Sequence, residues 1–288
     1  MKIVYIELFF INSKLKEIKL NTIRKYKNKY YFDCVFKIEY QNEYLQDIII
    51  HLIKKANLEK TPILINYIFD NITFLKITIP KMKSIQMIKN IDTEINQLIY
   101  NYKDLYDYEI TKVSTYKIND FRIVLFPKLE EKYKLNQVSL KEVKVNKIKE
   151  IKNYEIIETI IKGYHYKLNT LYSIVCFNEN NIECYILRNG FVIELFIIDV
   201  DKTLLDQYNL SYKYTDLLNV NNQYFKNICD LISEYGSSRS VEAMILVFSS
   251  KYNDYLKNLI NQEININHIS STYEEVFLKA LEGLFNEK

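Results

Sequence analysis

The residue types that most often perform chemistry are few and scattered in this sequence. The three histidines and the four cysteines lie far apart, and no C-x-x-C pair occurs. A structural zinc site or a disulfide framework needs such spacings, so neither is predicted. We expect every cysteine to be a buried free thiol, as free cysteine usually is in proteins. The four are Cys34, Cys176, Cys184 and Cys229.

Two other groups could hold an ion. Asp199 and Asp201 form a carboxylate pair at the end of an apolar run, and a Ser-Ser-Arg-Ser sequence at 237–240 follows Gly236. Carboxylates can ligate hard cations, and a serine-rich loop before a helix can bind an anion. A solvated turn and an ordinary loop explain the two groups more simply, and we favour those interpretations. No P-loop, zinc-protease or nucleophile-elbow motif accompanies them.

Composition indicates a globular chain with a sizeable core. Of 288 residues, 48% are hydrophobic and 26% charged, but only four are glycine. Loops that cradle phosphate depend on glycine for positive φ and for close backbone approach, so their scarcity weighs against such loops. The 26 tyrosines fit a recognition surface or a compositional bias with half-buried packing, and the sequence leaves both open.

Charge is distributed unevenly between the two halves. Residues 1–150 contain 27 Lys or Arg against 18 Asp or Glu, a net of +9, and residues 151–288 contain 12 against 18, a net of −6. The basic half could face an acidic partner or an anionic membrane, although solvated lysines are the simpler interpretation. Nucleic acid is not predicted, because no dense basic patch or nucleic-acid motif occurs. With no secretory signal and no apolar run of about 20 residues, a cytoplasmic protein is expected.

Hydrophobic periodicity predicts a duplicated α/β order. Each half begins with three strand-like runs and continues with helices and further strands, which suggests mixed sheets flanked by helices. The Asn189-Gly190 pair is a strong hairpin signal. Apolar residues at helical spacing predict helices at 42–56, 81–101, 153–162, 201–209, 222–235, 252–259 and 273–285, and a strand is predicted at 264–269.

Four stretches carry a more specific pattern. The first, residues 6–18, aligns without a gap on an Asp-Ile-Gly-Ser-Ser-Ser-Val-Lys opening, with Glu7 at the Asp and Phe9 at the Gly. The second is the Ile79-Pro80-Lys81-Met82 entry into a helix that carries acidic residues near its middle. The third is the run 172–178, followed by Arg188–Phe191 and 196–198. The fourth is the run 245–250 with the closing helix at 277–284.

Together these stretches resemble the actin and sugar-kinase superfamily, and within it PilM-like proteins of type IV pilus assembly, with FtsA and the GspL cytoplasmic domain more distant. The resemblance covers nearly the whole chain. It implies a two-lobed actin-like α/β fold with duplicated mixed sheets flanked by helices. The first lobe would span residues 1–165, with an inserted subdomain at about 80–150, and the second would span residues 166–288.

The positions that bind nucleotide in this superfamily are altered here. The resemblance places Glu7 and Phe9 in the first phosphate hairpin, Cys176 and Asn178 at the Asp and Gly of the second, and Ser249-Ser250 at the Gly-Gly adenosine turn. The other Gly-Gly, near Val200, is lost. These changes remove room, carboxylates and backbone amides together. A pseudo-ATPase without cofactor or metal is therefore expected.

The resemblance also implies a function and a location. PilM-like proteins are adaptors at the cytoplasmic face of the inner membrane that bind the tail of PilN, and this chain would bind a PilN-like tail and other platform proteins. Self-association is left open. An active ATPase with divergent loops and an unrelated two-domain α/β interaction protein are the alternatives. The predicted partner-binding residues are Ile79, Pro80, Met82, Ile88, Ile91 and Ile95.

Overall fold

The computed structural model describes residues 2–26, 29–41, 43–80, 83–113, 119–135, 147–164, 167, 169–211 and 215–286. Contacts divide the chain into two compact units, Met1–Ile156 with Glu282–Lys288, and Ile157–Leu281. The predicted lobe boundary at 165/166 and the predicted inserted subdomain remain predictions.

The strands and helices of the first part of the chain follow in order. Its strands are β1 (Lys2–Ile11), β2 (Lys14–Tyr26), β3 (Lys29–Glu39), β4 (Ile63–Phe69), β5 (Thr73–Ile79), β6 (Tyr106–Lys112), β7 (Asn119–Pro127) and β8 (Ile148–Lys152). Its helices are α1 (Leu45–Lys55), α2 (Ser84–Leu98), α3 (Tyr102–Leu105) and α4 (Asn153–Lys162), with a 3-10 turn at Glu131–Tyr133.

The remaining elements belong to the second part. Its strands are β9 (Leu171–Phe177), β10 (Asn181–Arg188), β11 (Phe191–Asp199), β12 (Val241–Phe248) and β13 (His268–Thr272). Its helices are α5 (Lys202–Ser211), α6 (Thr215–Ser238), α7 (Asp254–Glu263) and α8 (Tyr273–Asn286).

The main sheet of the first unit has the order β3-β2-β1-β4-β8. β1 pairs antiparallel with β2 and parallel with β4. Alternate residues of β1 point to opposite faces. Val4, Ile6, Leu8 and Phe10 therefore enter a core shared with the apolar stripe of α1, while Tyr5, Glu7 and Phe9 lie on the other face.

A smaller antiparallel sheet, β5-β7-β6, also belongs to the first unit. Helix α2 packs on one face of it, and Ile91 and Ile95 are completely buried there. Their i, i+4 spacing places both on the same side of the helix. The other side of α2 does not contribute to this core.

The sheet of the second unit repeats the plan of the first. Its order is β11-β10-β9-β12-β13, with an antiparallel meander on one side and parallel strands on the other. Helices α6 and α7 supply Phe225, Ile232, Leu256 and Ile260 to the core on one face. Position for position, the strand order matches that of the first unit, so the predicted duplication is confirmed.

The structure also tests three local predictions, for a hairpin turn, a cysteine and a strand. Asn189 and Gly190 both have positive φ, as a two-residue hairpin loop requires, and β10 and β11 flank them. Cys34 is exposed, not buried. The strand expected at 264–269 begins instead at His268, because Ile264 ends α7 and packs into the core.

Candidate functional site

The first candidate site is the hairpin of β1 and β2. Its turn is Asn12-Ser13, and both residues have positive φ. Glu7 and Phe9 lie on the face of β1 that is turned away from α1, opposite Lys19 and Glu17 of β2. The ammonium of Lys19 lies 4.3 Å from the centroid of the Phe9 ring. An aromatic ring with a cation against it thus occupies the position that the sequence resemblance predicts to match a glycine.

Glu7 belongs to a hydrogen-bonded chain of side chains. Asn21 Nδ2 donates to Glu7 Oε2 at 3.0 Å, and Asn66 Nδ2 donates to the Tyr5 hydroxyl at 2.8 Å. The Tyr5 hydroxyl also bonds Glu7. Burial raises the pKa of Glu7, and Lys19 and Asn21 oppose that rise. The Glu7 carboxylate is therefore held by its own sheet.

The second candidate site is the hairpin of β9 and β10. Cys176 is buried and faces Glu183 across the strand pair. Burial raises the pKa of the Cys176 thiol, and the nearby Glu183 carboxylate raises it further. Tyr185 donates its hydroxyl to Glu183 at 2.6 Å, and Asn181 Nδ2 makes a longer contact of 3.5 Å with the same carboxylate.

The loop of this second hairpin is closed by its own amide groups. Asn178 Nδ2 donates to Asn181 Oδ1 at 3.0 Å, and the backbone amide of Asn178 donates to the Asn181 carbonyl at 2.9 Å. Asn178, which the sequence resemblance aligns with a glycine, thus carries a side chain bonded within the loop. The sequence did not mark the carboxylate of Glu183 as part of a site, because alternation alone does not distinguish a buried polar residue from a solvated one.

The serine turn lies beside that loop. The Ser249 amide donates to the Phe177 carbonyl at 3.1 Å, and the Tyr252 hydroxyl donates to the Asn178 carbonyl at 3.1 Å. Ser249 Oγ is buried without a hydrogen-bond partner among the described residues. Ser250 is exposed.

The two other ion-binding candidates have structural roles. Asp201 Oδ1 accepts from the amides of Thr203 at 2.9 Å and Leu204 at 3.2 Å, which is the N-cap geometry for α5. The Ser-Ser-Arg-Ser sequence lies at the C-terminal end of α6, where the helix dipole repels anions. Arg239 there makes a two-pronged ion pair with Glu194. In the parts of the chain that the structure describes, no three His, Cys, Asp or Glu side chains are grouped as metal ligands.

The predicted partner-binding residues separate into two groups. Ile79, Ile91 and Ile95 are buried between α2 and its sheet, so a partner could reach them only by opening that core. Pro80 is exposed, and Ile88 is 49% exposed. Met82 lies outside the described residues.

A polar cavity of about 470 Å³ lies at the C-terminal end of α2. Its floor contains Asp92, which accepts hydrogen bonds from Tyr102 and Lys103 at 2.7 Å and from Tyr108 at 3.1 Å. Partial burial raises the pKa of Asp92, but these three donors outweigh it and the net shift is downward. The cavity is lined by Asp92, Thr93, Asn96, Gln97, Asn101, Tyr102, Lys103 and Asp104.

Large apolar side chains are exposed in the segments that line this cavity. Leu98 is 63%, Tyr100 81% and Leu105 58% exposed. Exposed aromatic and aliphatic side chains beside a cavity are typical of interaction sites. Sequence analysis placed acidic residues in the middle of α2, but it could not place Tyr102 and Tyr108 against them, since those contacts depend on the path of the chain through α3.

Comparison with solved structures decides the fold. The PilM–PilN type IV pilus biogenesis complex matches with a TM-score of 0.54 at 11% identity, over 94% of this chain and 89% of that one. The chain has an actin-like fold. The predicted fold is thereby confirmed, and an unrelated α/β architecture is excluded.

Other actin-like structures match less well in geometry. The cytoplasmic domain of EpsL, an inner membrane component of the Vibrio cholerae type II secretion system, has a TM-score of 0.49 at 6% identity, covering 100% of this chain and 97% of that one. A Bacteroides thetaiotaomicron protein with an actin-like ATPase fold and unknown function has a TM-score of 0.43 at 10% identity, covering 96% and 95%. No protein-family model and no curated protein matches the chain. Within the described residues, no helix has both the length and the apolarity needed to cross a bilayer.

Proposed function

We propose that this chain is a non-catalytic adaptor of a type IV pilus or related secretion platform. It would lie in the cytoplasm at the inner face of the cell membrane, where it binds the cytoplasmic tail of a PilN-like membrane protein. The actin-like fold that it shares with the PilM–PilN complex supports this role. The observation that carries the proposal is that Glu7, Glu183 and Asn178, in the two hairpins that the resemblance aligns with the phosphate loops, are hydrogen-bonded to neighbouring side chains.

The residues at these positions do not fit a magnesium nucleotide. Phosphate oxygens need free backbone amides and space, but the first hairpin carries the Phe9 ring and the second the Asn178 side chain. Magnesium needs carboxylate or phosphate oxygens in octahedral geometry. Cys176 replaces one of the carboxylates, and Glu7 is already occupied by Asn21 and Tyr5.

The partner surface that we assign is the cavity at the end of α2 with its apolar rim. A tail peptide could place apolar side chains against Leu98 and Tyr100 and polar groups towards the cavity floor. Asp92 stabilises this floor from below through Tyr102 and Tyr108. The interaction would use surface residues and leave the core of the small sheet intact.

Binding of a labelled tail peptide tests this assignment. The probe is a fluorescent peptide of the cytoplasmic N-terminal residues of the PilN-like protein from the same organism, followed by anisotropy. L98S/Y100S is expected to weaken binding by at least about tenfold, because exposed aromatic anchors often contribute 1–2 kcal/mol each. Y255S, which alters a tyrosine of 50% exposure on α7, serves as the matched control.

Two outcomes contradict the proposal. Unchanged affinity in L98S/Y100S would place the tail elsewhere, and equal weakening in Y255S would show a general effect of surface polarity. Equal melting temperatures of all three proteins are required for the comparison.

A further inference from the structure

The N-terminal end of α2 has a second exposed apolar surface. Ile85 is 72% and Ile88 49% exposed. Their i, i+3 spacing places them side by side. The helix packs on its sheet through Ile91 and Ile95, so this pair is not needed for that core. We call Lys83, Ile85, Ile88 and Lys89 the basic tip of α2.

The sequence around the basic tip is rich in lysine. Residues 71–91 contain four lysines and no Asp or Glu, whereas residues 92–109 contain five acidic residues and one lysine. Lys83 and Lys89 are exposed, and neither forms an ion pair with any residue in the described ranges. Along the sequence, the lysines are therefore concentrated towards the N-terminal end of α2 and the acidic residues towards its C-terminal end.

The start of the helix adds to this positive charge. Lys83 is the N-cap residue, its side chain makes no capping hydrogen bond, and the first turn has no acidic residue. Helix N-termini carry a partial positive charge that acidic residues or capping oxygens usually neutralise. A lysine thus stands where the helix favours a hydrogen-bond acceptor.

We propose that the basic tip docks on an anionic lipid bilayer. Ile85 and Ile88 would enter the boundary between headgroups and acyl chains, and Lys83 and Lys89 would lie at the level of the lipid phosphates. Interfacial helices combine the same two features, apolar side chains flanked by lysine. This contact goes beyond the proposed tail binding and uses the opposite end of α2.

A bilayer suits this surface better than an acidic peptide does. Peptides bind in grooves that cover their apolar side chains. The cavity of α2 lies at its other end, whereas the two isoleucines extend from a helix end with a lysine on either side. A flat bilayer can take up these two exposed side chains without a groove.

Vesicle co-sedimentation with the full chain tests the proposal. The probes are phosphatidylcholine vesicles with and without one quarter phosphatidylglycerol. Binding is expected only to the anionic vesicles, with a loss of at least about tenfold in I85S/I88S and of about fivefold for each lysine removed in K83Q/K89Q. High salt should weaken the binding.

The variant L98S/Y100S is the matched control, since it alters exposed side chains at and just beyond the other end of the same helix. It should bind vesicles normally while it loses the tail peptide, and I85S/I88S should show the reverse, so that failure of one idea does not imply failure of the other. No binding to anionic vesicles, or equal binding by I85S/I88S, would overturn the proposal. Binding of a poly-glutamate peptide without vesicle binding would overturn it in favour of an acidic protein partner.

Discussion

Each of the two hairpins holds one glutamate by hydrogen bonds, but the neighbouring side chains differ. In each, a glutamate of the hairpin accepts a hydrogen bond from a tyrosine two residues away, Tyr5 for Glu7 and Tyr185 for Glu183. Asparagine side chains complete both groups. The carboxylate lies on the first strand of one hairpin, β1, and on the second strand of the other, β10.

The difference lies in charge. Glu7 has Lys19 close by, which opposes the effect of burial on its pKa. The groups that oppose burial at Glu183 are hydrogen-bond donors with no formal charge, and its neighbour is a thiol. Burial raises the pKa of both glutamates, and only in the first hairpin does a cation oppose that rise. Two predictions test the contrast between the hairpins, and a third tests a tight turn in each of the two units.

Removal of the tyrosine hydroxyls should have the largest effect. Y5F deprives two buried groups, Asn66 and Glu7, of a partner and should lower the free energy of unfolding by about 2–3 kcal/mol. Y185F deprives only Glu183 and should cost about 1–2 kcal/mol. Urea denaturation measures both, and a larger loss in Y185F would contradict the account of the first hairpin.

The pH dependence of stability should separate the two glutamates. Burial raises the pKa of Glu183 above its ordinary value of 4.5. The folded chain therefore binds this proton more tightly, and the stabilisation is complete below pH 4.5 and is lost as the pH rises through the raised pKa. E183Q should flatten the stability curve from pH 4.5 upwards and should be at least as stable as the parent at neutral pH.

E7Q is the companion variant for that measurement. Lys19 already limits the rise in the pKa of Glu7, so E7Q should change the slope less than E183Q does. Removing the carboxylate also deprives Lys19 of an ionic neighbour. E7Q should therefore not increase the free energy of unfolding at neutral pH. Equal slopes in the two variants would show that Lys19 does not distinguish the hairpins.

The tight turns should give the smallest effects. Ser13 has φ of 64° and Gly190 has φ of 82°, a region that glycine adopts without strain and that is unfavourable for most other residues. S13G should stabilise the chain by about 1 kcal/mol, and G190A should destabilise it by about the same amount. Thermal melts of the two variants provide the measurement, and shifts of the same sign would contradict it.

The sequence predicted elements that depend on local periodicity. The stripe of α1 and the Asn189-Gly190 turn are confirmed, because each is determined within a few residues. The duplicated order also emerged from the sequence, and the resemblance correctly indicated an actin-like fold.

The chemistry of the candidate sites was less predictable, because it depends on contacts between distant strands. Asn66 reaches Tyr5 across 61 residues of sequence, and no local pattern marks Asn66 as buried. Cys34 was expected in the core, yet it lies exposed on an edge strand. The burial of a strand residue depends on what covers the sheet, which the alternation of residues does not show.

The basic tip of α2 shows a different limit of prediction from sequence. Its lysines were visible as part of a basic half, and solvated lysines were the simpler interpretation. Only the exposure of Ile85 and Ile88 beside them, established by the packing of Ile91 and Ile95 on the sheet, distinguishes a surface for docking from an ordinary helix.

The melting temperature with and without millimolar Mg-ATP tests the central claim most directly. A ligand that binds only the folded chain at a hundredfold excess over its Kd adds about 2.7 kcal/mol of stability, which raises the melting temperature by several degrees. The account predicts no rise, because under the proposed function Phe9 and Asn178 would occupy the space of the phosphates, and both carboxylates are hydrogen-bonded within the sheets. A clear rise that requires both magnesium and ATP would contradict it and would make an active actin-like ATPase the better proposal.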